Sequence, residues 1–184
     1  MTSKEENTFI SQGKIKNIKN ICLSILETIL EYTSDKKTIP SAFDNTSNIN
    51  GHRNIIDEYN FEDLFKFCVK MLKINDNILI LIMMNIDKII SNGVIINYEN
   101  INRLFYTCLM ITQKYYEDNS YNNKLYADLV GISCDDLLTM EMEYMNLIDF
   151  ELFIKDDEFT KYKQNISQFN LWIYIYDVSF NVKN

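Results

Sequence analysis

The run from Ile78 to Ile86 limits the possible folds more than any other part of this chain. Ile78-Leu79-Ile80-Leu81-Ile82-Met83-Met84 is apolar on every side for two turns of helix. A helix with no polar face has to be covered by neighbours on several sides. The run is too short to span a bilayer and closes at Asp87-Lys88, so it reads as a buried helix over Asp76–Ser91 inside a bundle. Asn92-Gly93 ends it, because glycine fits the left-handed cap.

The covering elements show as apolar residues at three- and four-residue spacing. From about Lys14 to Tyr32 these are Ile15, Ile18, Cys22, Ile25 and Ile29. Over Phe61–Lys73 they are Phe61, Leu64, Phe65, Cys68 and Leu72, with Asn60 placed to cap the start. Over Tyr98–Tyr116, residues Ile101, Leu104, Phe105, Cys108, Thr112 and Tyr115 share a face. A short helix over Lys124–Val130 stops at Gly131. Ser133 then caps a long helix reaching about Ile148, with Asp136 three residues on. A last helix starts near Asp157 and carries Phe159, Tyr162, Ile166, Phe169 and Ile173, although Leu171–Val178 would also suit a strand. Four glycines and one proline are too few turn formers for a strand-rich fold, so the predicted class is all-α. The expected layout is a polar, disordered tail over 1–13, an N-terminal helix over 14–33, a loop over 34–54, a helical domain over 55–155, and a C-terminal helix and tail over 156–184.

Charge and residue types narrow the function. A net charge of −8 opposes nucleic acid as a main partner, because phosphate binding needs a cationic surface. It suits a partner with a basic patch. Cys22, Cys68, Cys108 and Cys134 lie far apart in sequence, each in or beside an apolar helical pattern. They read as reduced core residues of an intracellular protein, in nucleus or cytoplasm. The N-terminus starts polar and acidic, which does not look like a signal peptide, and no membrane partner is expected. The one histidine, His52, falls in the polar loop, so zinc and Ser-His-Asp chemistry have no parts. Asp135-Asp136 and Asp156-Asp157 sit where helices begin, which favours the helix dipole rather than catalysis. A non-enzyme without metal or cofactor is the expectation.

One residue breaks the pattern. At about 100° per residue, Leu137, Met140, Tyr144 and Ile148 form the buried stripe of the long helix. Glu141 falls roughly 40° from Leu137, inside that stripe, with Leu138 and Met145 beyond it. Asp135, Asp136, Thr139, Glu143 and Asn146 take the wet face. A lone carboxylate among apolar neighbours is costly. Either Glu141 snorkels to solvent at the domain rim, or it pairs with a cation. Periodicity alone does not choose the cation.

Several short segments in order choose it by resemblance. Asn100–Leu104 resembles the N-x-H-R-L opening of the third helix of a cyclin box, and Lys114 with Glu117-Asp118 resembles its K-x-x-[DE]-D end. Tyr121–Ala127 is similar to Y-S-N-x-x-Y-A of P/U-type, phosphate-pathway cyclins, and Gly131-Ile132-Ser133 to G-G-I-S. Leu138–Tyr144 resembles L-x-x-L-E-x-x-[FY], Phe150-Glu151-Leu152 resembles [FW]-x-L, and Ile86-Asp87-Lys88 resembles I-D-R. Phe159 and Tyr162 match F-x-x-Y after the box. Lys88 stands for the usual Arg, Asn102 for His and Val130 for the first Gly. The substrate-docking motif of cell-cycle cyclins is missing from Phe61–Lys73, and the chain looks too short for a second box.

The resemblance implies a five-helix cyclin box with additional N- and C-terminal helices. It also implies a regulatory subunit that binds and activates a cyclin-dependent serine/threonine kinase. Residues matching Lys114 and Glu141 hold each other and contact backbone near the kinase αC helix. Those matching Ile111, Tyr115, Met145 and Leu152 line a pocket for an apolar αC residue, flanked by Phe150. Two other readings stand beside it: a cyclin-fold scaffold with a non-kinase partner, and a plain helical adaptor that dimerises through its terminal helices.

Overall fold

The computed structural model describes residues 17–36, 41–44 and 54–167. These form α1 (Ile18–Thr33), α2 (Ile55–Glu58), α3 (Phe61–Met71), α4 (Asp76–Ser91), α5 (Ile101–Tyr116), α6 (Asn123–Val130), α7 (Cys134–Leu147) and α8 (Asp156–Ser167). No strand occurs among the described residues. Residues 1–16 and 168–184 lie outside them, and with them Phe169, Ile173 and the run Leu171–Val178.

The helices start where the sequence offers caps. Asn60 Oδ1 accepts the Asp63 N–H at 2.9 Å, Asn75 accepts from Asn77 and Ile78, and Asn122 accepts from Leu125. At α7, Ser133 Oγ accepts the Asp136 N–H and donates to the Asp136 carboxylate, a reciprocal cap. Two ends are set by glycine at positive φ, Gly93 at 87° and Gly131 at 75°. The helix predicted over Phe61–Lys73 ends at Met71, because Lys73 turns to φ 53° and the Ile74 N–H returns to Val69 O.

The most enclosed helix is α5, not α4. All thirteen residues from Ile101 to Gln113 are buried, so the one-faced reading of this helix is corrected. Tyr115, assigned to its core face, is exposed. α5 packs on α4 and α7, and also on α2 and α3. The enclosure is tolerated because the buried polar side chains of α5 find partners, with Asn102 Oδ1 the one buried oxygen there left without one. Thr107 donates to Arg103 O, Asn85 donates to Thr112 Oγ1, and Gln113 donates to Leu72 O while accepting from Tyr126 OH at 2.8 Å. Asn102 Nδ2 donates to Ile56 O and Tyr59 O, both at 2.8 Å, tying down the end of α2.

α1 and α8 both pack against α4 and touch each other. Tyr162 OH donates to Asp87 Oδ2, and Lys163 Nζ to Asn77 Oδ1. The loop after α1 contributes to the core: Phe43 is buried, and the Ala42 N–H donates to Glu143 Oε2 at 2.8 Å. Glu143, placed on the wet face of α7, is therefore half covered. The reading of all four cysteines as core residues is also corrected. Cys22, Cys68 and Cys108 are buried, but Cys134 is exposed. It is the first residue of α7, before the helix reaches the core at Leu137.

Candidate functional site

α5 and α7 lie side by side, and near the C-terminal end of α5 they are bridged by charge. Lys114 Nζ donates to Glu141 Oε1 at 2.9 Å, with 22% of each side chain exposed. Asn123 at the start of α6 reaches the other carboxylate oxygen at 3.4 Å, and Lys114 Nζ lies 5.8 Å from the centre of the Tyr126 ring. Glu141 pairs rather than snorkels. The half-open position leaves both charged groups in reach of a partner, where charge-assisted hydrogen bonds are strong and directional.

Around the pair the other predicted site residues fall into two connected sets. One turn before Lys114, Ile111 is buried and forms floor rather than surface. Tyr115 is exposed, its ring edge-on to Tyr116 at 4.8 Å. Tyr116 then reaches the segment after α7: its OH donates to Leu152 O at 2.7 Å and accepts the Ile154 N–H at 3.0 Å. On the other side, Met145 is half-buried against the core, and its carbonyl accepts the Phe150 N–H at 2.8 Å. Leu152 is half-buried, while Phe150 is 58% exposed.

The turn that carries Phe150 is strained. Asp149 and Phe150 follow one another at φ 53° and 58°, and neither is glycine. Each residue in this region costs about 1–2 kcal/mol. The turn is closed by Asp149 N–H to Asn146 O and Glu151 N–H to Ile148 O, beside the Phe150–Met145 bond. From α4, Lys88 Nζ donates to Glu151 O at 3.0 Å and to Glu151 Oε2 at 2.8 Å. That ammonium holds the Glu151 carboxyl below the usual carboxylate range.

Sequence reasoning missed four features of this surface. Leu138 and Met142 are exposed, four residues apart on α7, on the arc that continues outward from Glu141 past Met145. Their signal was present: two apolar residues at helical spacing off the core stripe. Phe153 is exposed as well. Tyr116 was readable as an aromatic at a helix end, but its bonds to Leu152 and Ile154 depend on tertiary structure. No cluster of three or more potential metal ligands occurs among the described residues, and no helix there is long and apolar enough to cross a membrane.

Five helices, α3 to α7, wrapped around the third of them and flanked by α1 and α8, are the arrangement of a cyclin box with terminal additions. The sequence matches the Cyclin family model over residues 12–152, and the chain belongs to the cyclin family. It is 35% identical to Cyclin-U2-1 of Arabidopsis thaliana over 79 residues, 42% of this chain and 36% of that protein. Cyclin-U1-1 of the same plant is 41% identical over 63 residues, 34% of this chain and 30% of the relative. PHO85 cyclin-7 of Saccharomyces cerevisiae is 36% identical over 70 residues, 38% of this chain and 25% of the relative. These similarities are to the P/U-type group that the motifs resemble. The matched segments span between a quarter and little more than a third of those relatives' lengths.

Proposed function

We propose that this chain is the regulatory, non-catalytic subunit of a cyclin-dependent serine/threonine kinase. On this reading it holds the kinase αC helix inward. The observation that carries the proposal is the Lys114–Glu141 bridge, 2.9 Å long and partly open to solvent, with exposed Tyr115 next to Lys114 in sequence and exposed Leu138 and Met142 on the same turn of α7 as Glu141. An apolar helix face with a polar turn at its end meets complementary groups here: apolar surface for the helix, and fixed acceptors and donors for the backbone at its end. The naming of relatives as PHO85 cyclins supports a kinase as the partner class.

The consequence for the kinase follows from its chemistry. Phosphoryl transfer needs the β3 lysine paired with the αC glutamate. A subunit that binds only the inward αC state raises the population of that state by its differential affinity. The acidic net charge of −8 adds long-range attraction for a basic partner surface.

The test is capture of recombinant cyclin-dependent kinases on the immobilised chain, with phosphotransfer assayed in the captured complex. The wild-type chain retains a kinase and raises its activity. Lys114→Ala and Glu141→Ala each lower affinity at least about tenfold with unchanged helical content. Retention of full binding by both variants would remove the site assignment. Capture of a non-kinase partner instead would favour the scaffold reading.

A further inference from the structure

The turn at Asp149-Phe150 closes α7 through the Asp149 and Phe150 N–H groups, but it does so with two successive non-glycine residues at positive φ. A phenylalanine at positive φ is a backbone outlier, and Phe150 presents 58% of its surface to solvent. Three restraints fix the segment around it. The Phe150 N–H is bound by Met145 O, the backbone at Glu151 by Lys88, and the stretch Leu152–Ile154 by a single hydroxyl, that of Tyr116. Tyr116 OH uses both of its capacities there, donating to Leu152 O and accepting from the Ile154 N–H, so one atom sets two points of the backbone. Its ring is anchored at the last residue of α5, two residues from Lys114. Backbone strain that is over-determined by its neighbours clusters at sites that contact ligands.

We infer that Tyr116 is a positioning residue for partner binding: it fixes the Phe150–Leu152 rim relative to the Lys114–Glu141 bridge before the partner arrives. The inference rests on the kinase-binding reading for the partner, but the positioning itself is measurable without one. Tyr116 need not touch the partner. Loss of its hydroxyl leaves the ring in place and frees Leu152 O and the Ile154 N–H, so the rim samples other positions and must be ordered on binding.

The test uses Tyr116→Phe, Phe150→Ala and the double variant in the full chain, with two readouts. In amide hydrogen exchange, Tyr116→Phe lowers protection at Ile154 about fivefold or more, as expected for one hydrogen bond, while amides within α5 keep their protection. In kinase affinity, Tyr116→Phe weakens binding about fivefold, and does so by a smaller factor when Phe150 is already alanine, because the exposed member of the positioned rim is gone. Unchanged protection at Ile154 would overturn the inference whether or not a kinase is found. So would wild-type affinity in Tyr116→Phe, or an undiminished loss in the Phe150→Ala background, which would mark Tyr116 as merely structural. In either case, loss of binding in Lys114→Ala and Glu141→Ala would leave the kinase reading in place.

Discussion

Arg103 of α5 grips Asp57 of α2 with two parallel bonds, Nε to Oδ1 at 2.8 Å and an Nη to Oδ2 at 2.7 Å. The arginine side chain is only 3% exposed. The short helix α2 buries Ile56 and packs half-buried Ile55 on the core, a small apolar anchorage for a four-residue helix. The fork from Arg103 and the two bonds from Asn102 attach it to the central helix. Removing one member of such a pair strands the other charge in a poorly solvated place. Arg103→Met should therefore destabilise the chain by about 3 kcal/mol in urea unfolding. Adding Asp57→Leu should recover most of that loss, because an apolar pair leaves no charge behind. A single-variant cost no larger than that of a surface pair would show that α2 is held by other contacts.

The Lys114–Glu141 bridge should behave differently, although its length is similar. With 22% of each side chain exposed, water can solvate whichever partner remains. Lys114→Ala and Glu141→Ala should each cost less than the Arg103 change, about 1–2 kcal/mol in stability. The same variants are expected to abolish most of the kinase affinity. This separation of stability from binding is what distinguishes a recognition pair from a structural one. Unfolding of either variant at room temperature would assign the bridge to the architecture instead.

The two pairs also show what the sequence could and could not reveal. Glu141 was legible because helical periodicity is regular: a carboxylate inside the Leu137–Met140–Tyr144–Ile148 stripe is an exception visible by counting, and all four stripe residues are buried. The choice of Lys114 came from family resemblance, since nothing local links residues 27 positions apart. Arg103 and Asp57 lie 46 positions apart, and Arg103 falls on what a one-faced reading of α5 takes for its wet side. The enclosure of α5 was hidden for the same reason: Asn102, Arg103, Thr107 and Gln113 are polar by composition but buried by contact. The bonds of Tyr116 were out of reach because they depend on tertiary structure, and the Phe150 turn because positive φ at a phenylalanine carries no sequence signal.

Burial of phenols and thiols predicts how stability responds to alkali. Burial pushes Tyr126, Cys22, Cys68 and Cys108 each up to about 12, and raises Tyr106 and Tyr144 as well. For these groups the neutral form is favoured in the folded state. Their contribution is complete below the ordinary values of 9.0 for the thiols and 10.0 for the phenols, and is lost progressively as pH rises from there to the folded values, about 12 for Cys22 and Tyr126. Each group that ionises only on unfolding lowers stability by about 1.4 kcal/mol per pH unit within its window. Urea midpoints should therefore be insensitive to these groups near pH 7 to 8 and fall with increasing slope above about pH 9. A constant midpoint up to about pH 11 would contradict the burial of these side chains.

The cysteines give a separate check on the position of α7. Cys134 is exposed at the first residue of that helix, whereas Cys22, Cys68 and Cys108 are enclosed by the core. Thiol reactions need both access and the thiolate, and the three buried groups are denied both, since burial raises them to about 12. A disulfide reagent such as dithionitrobenzoate at pH 8 should modify one thiol quickly, and Cys134→Ser should remove that fast phase. The other three should react only as fast as the fold opens, and all at once in urea. Two or more fast thiols in the native chain would place a second cysteine at the surface and overturn the packing of α1, α3 or α5 against the core.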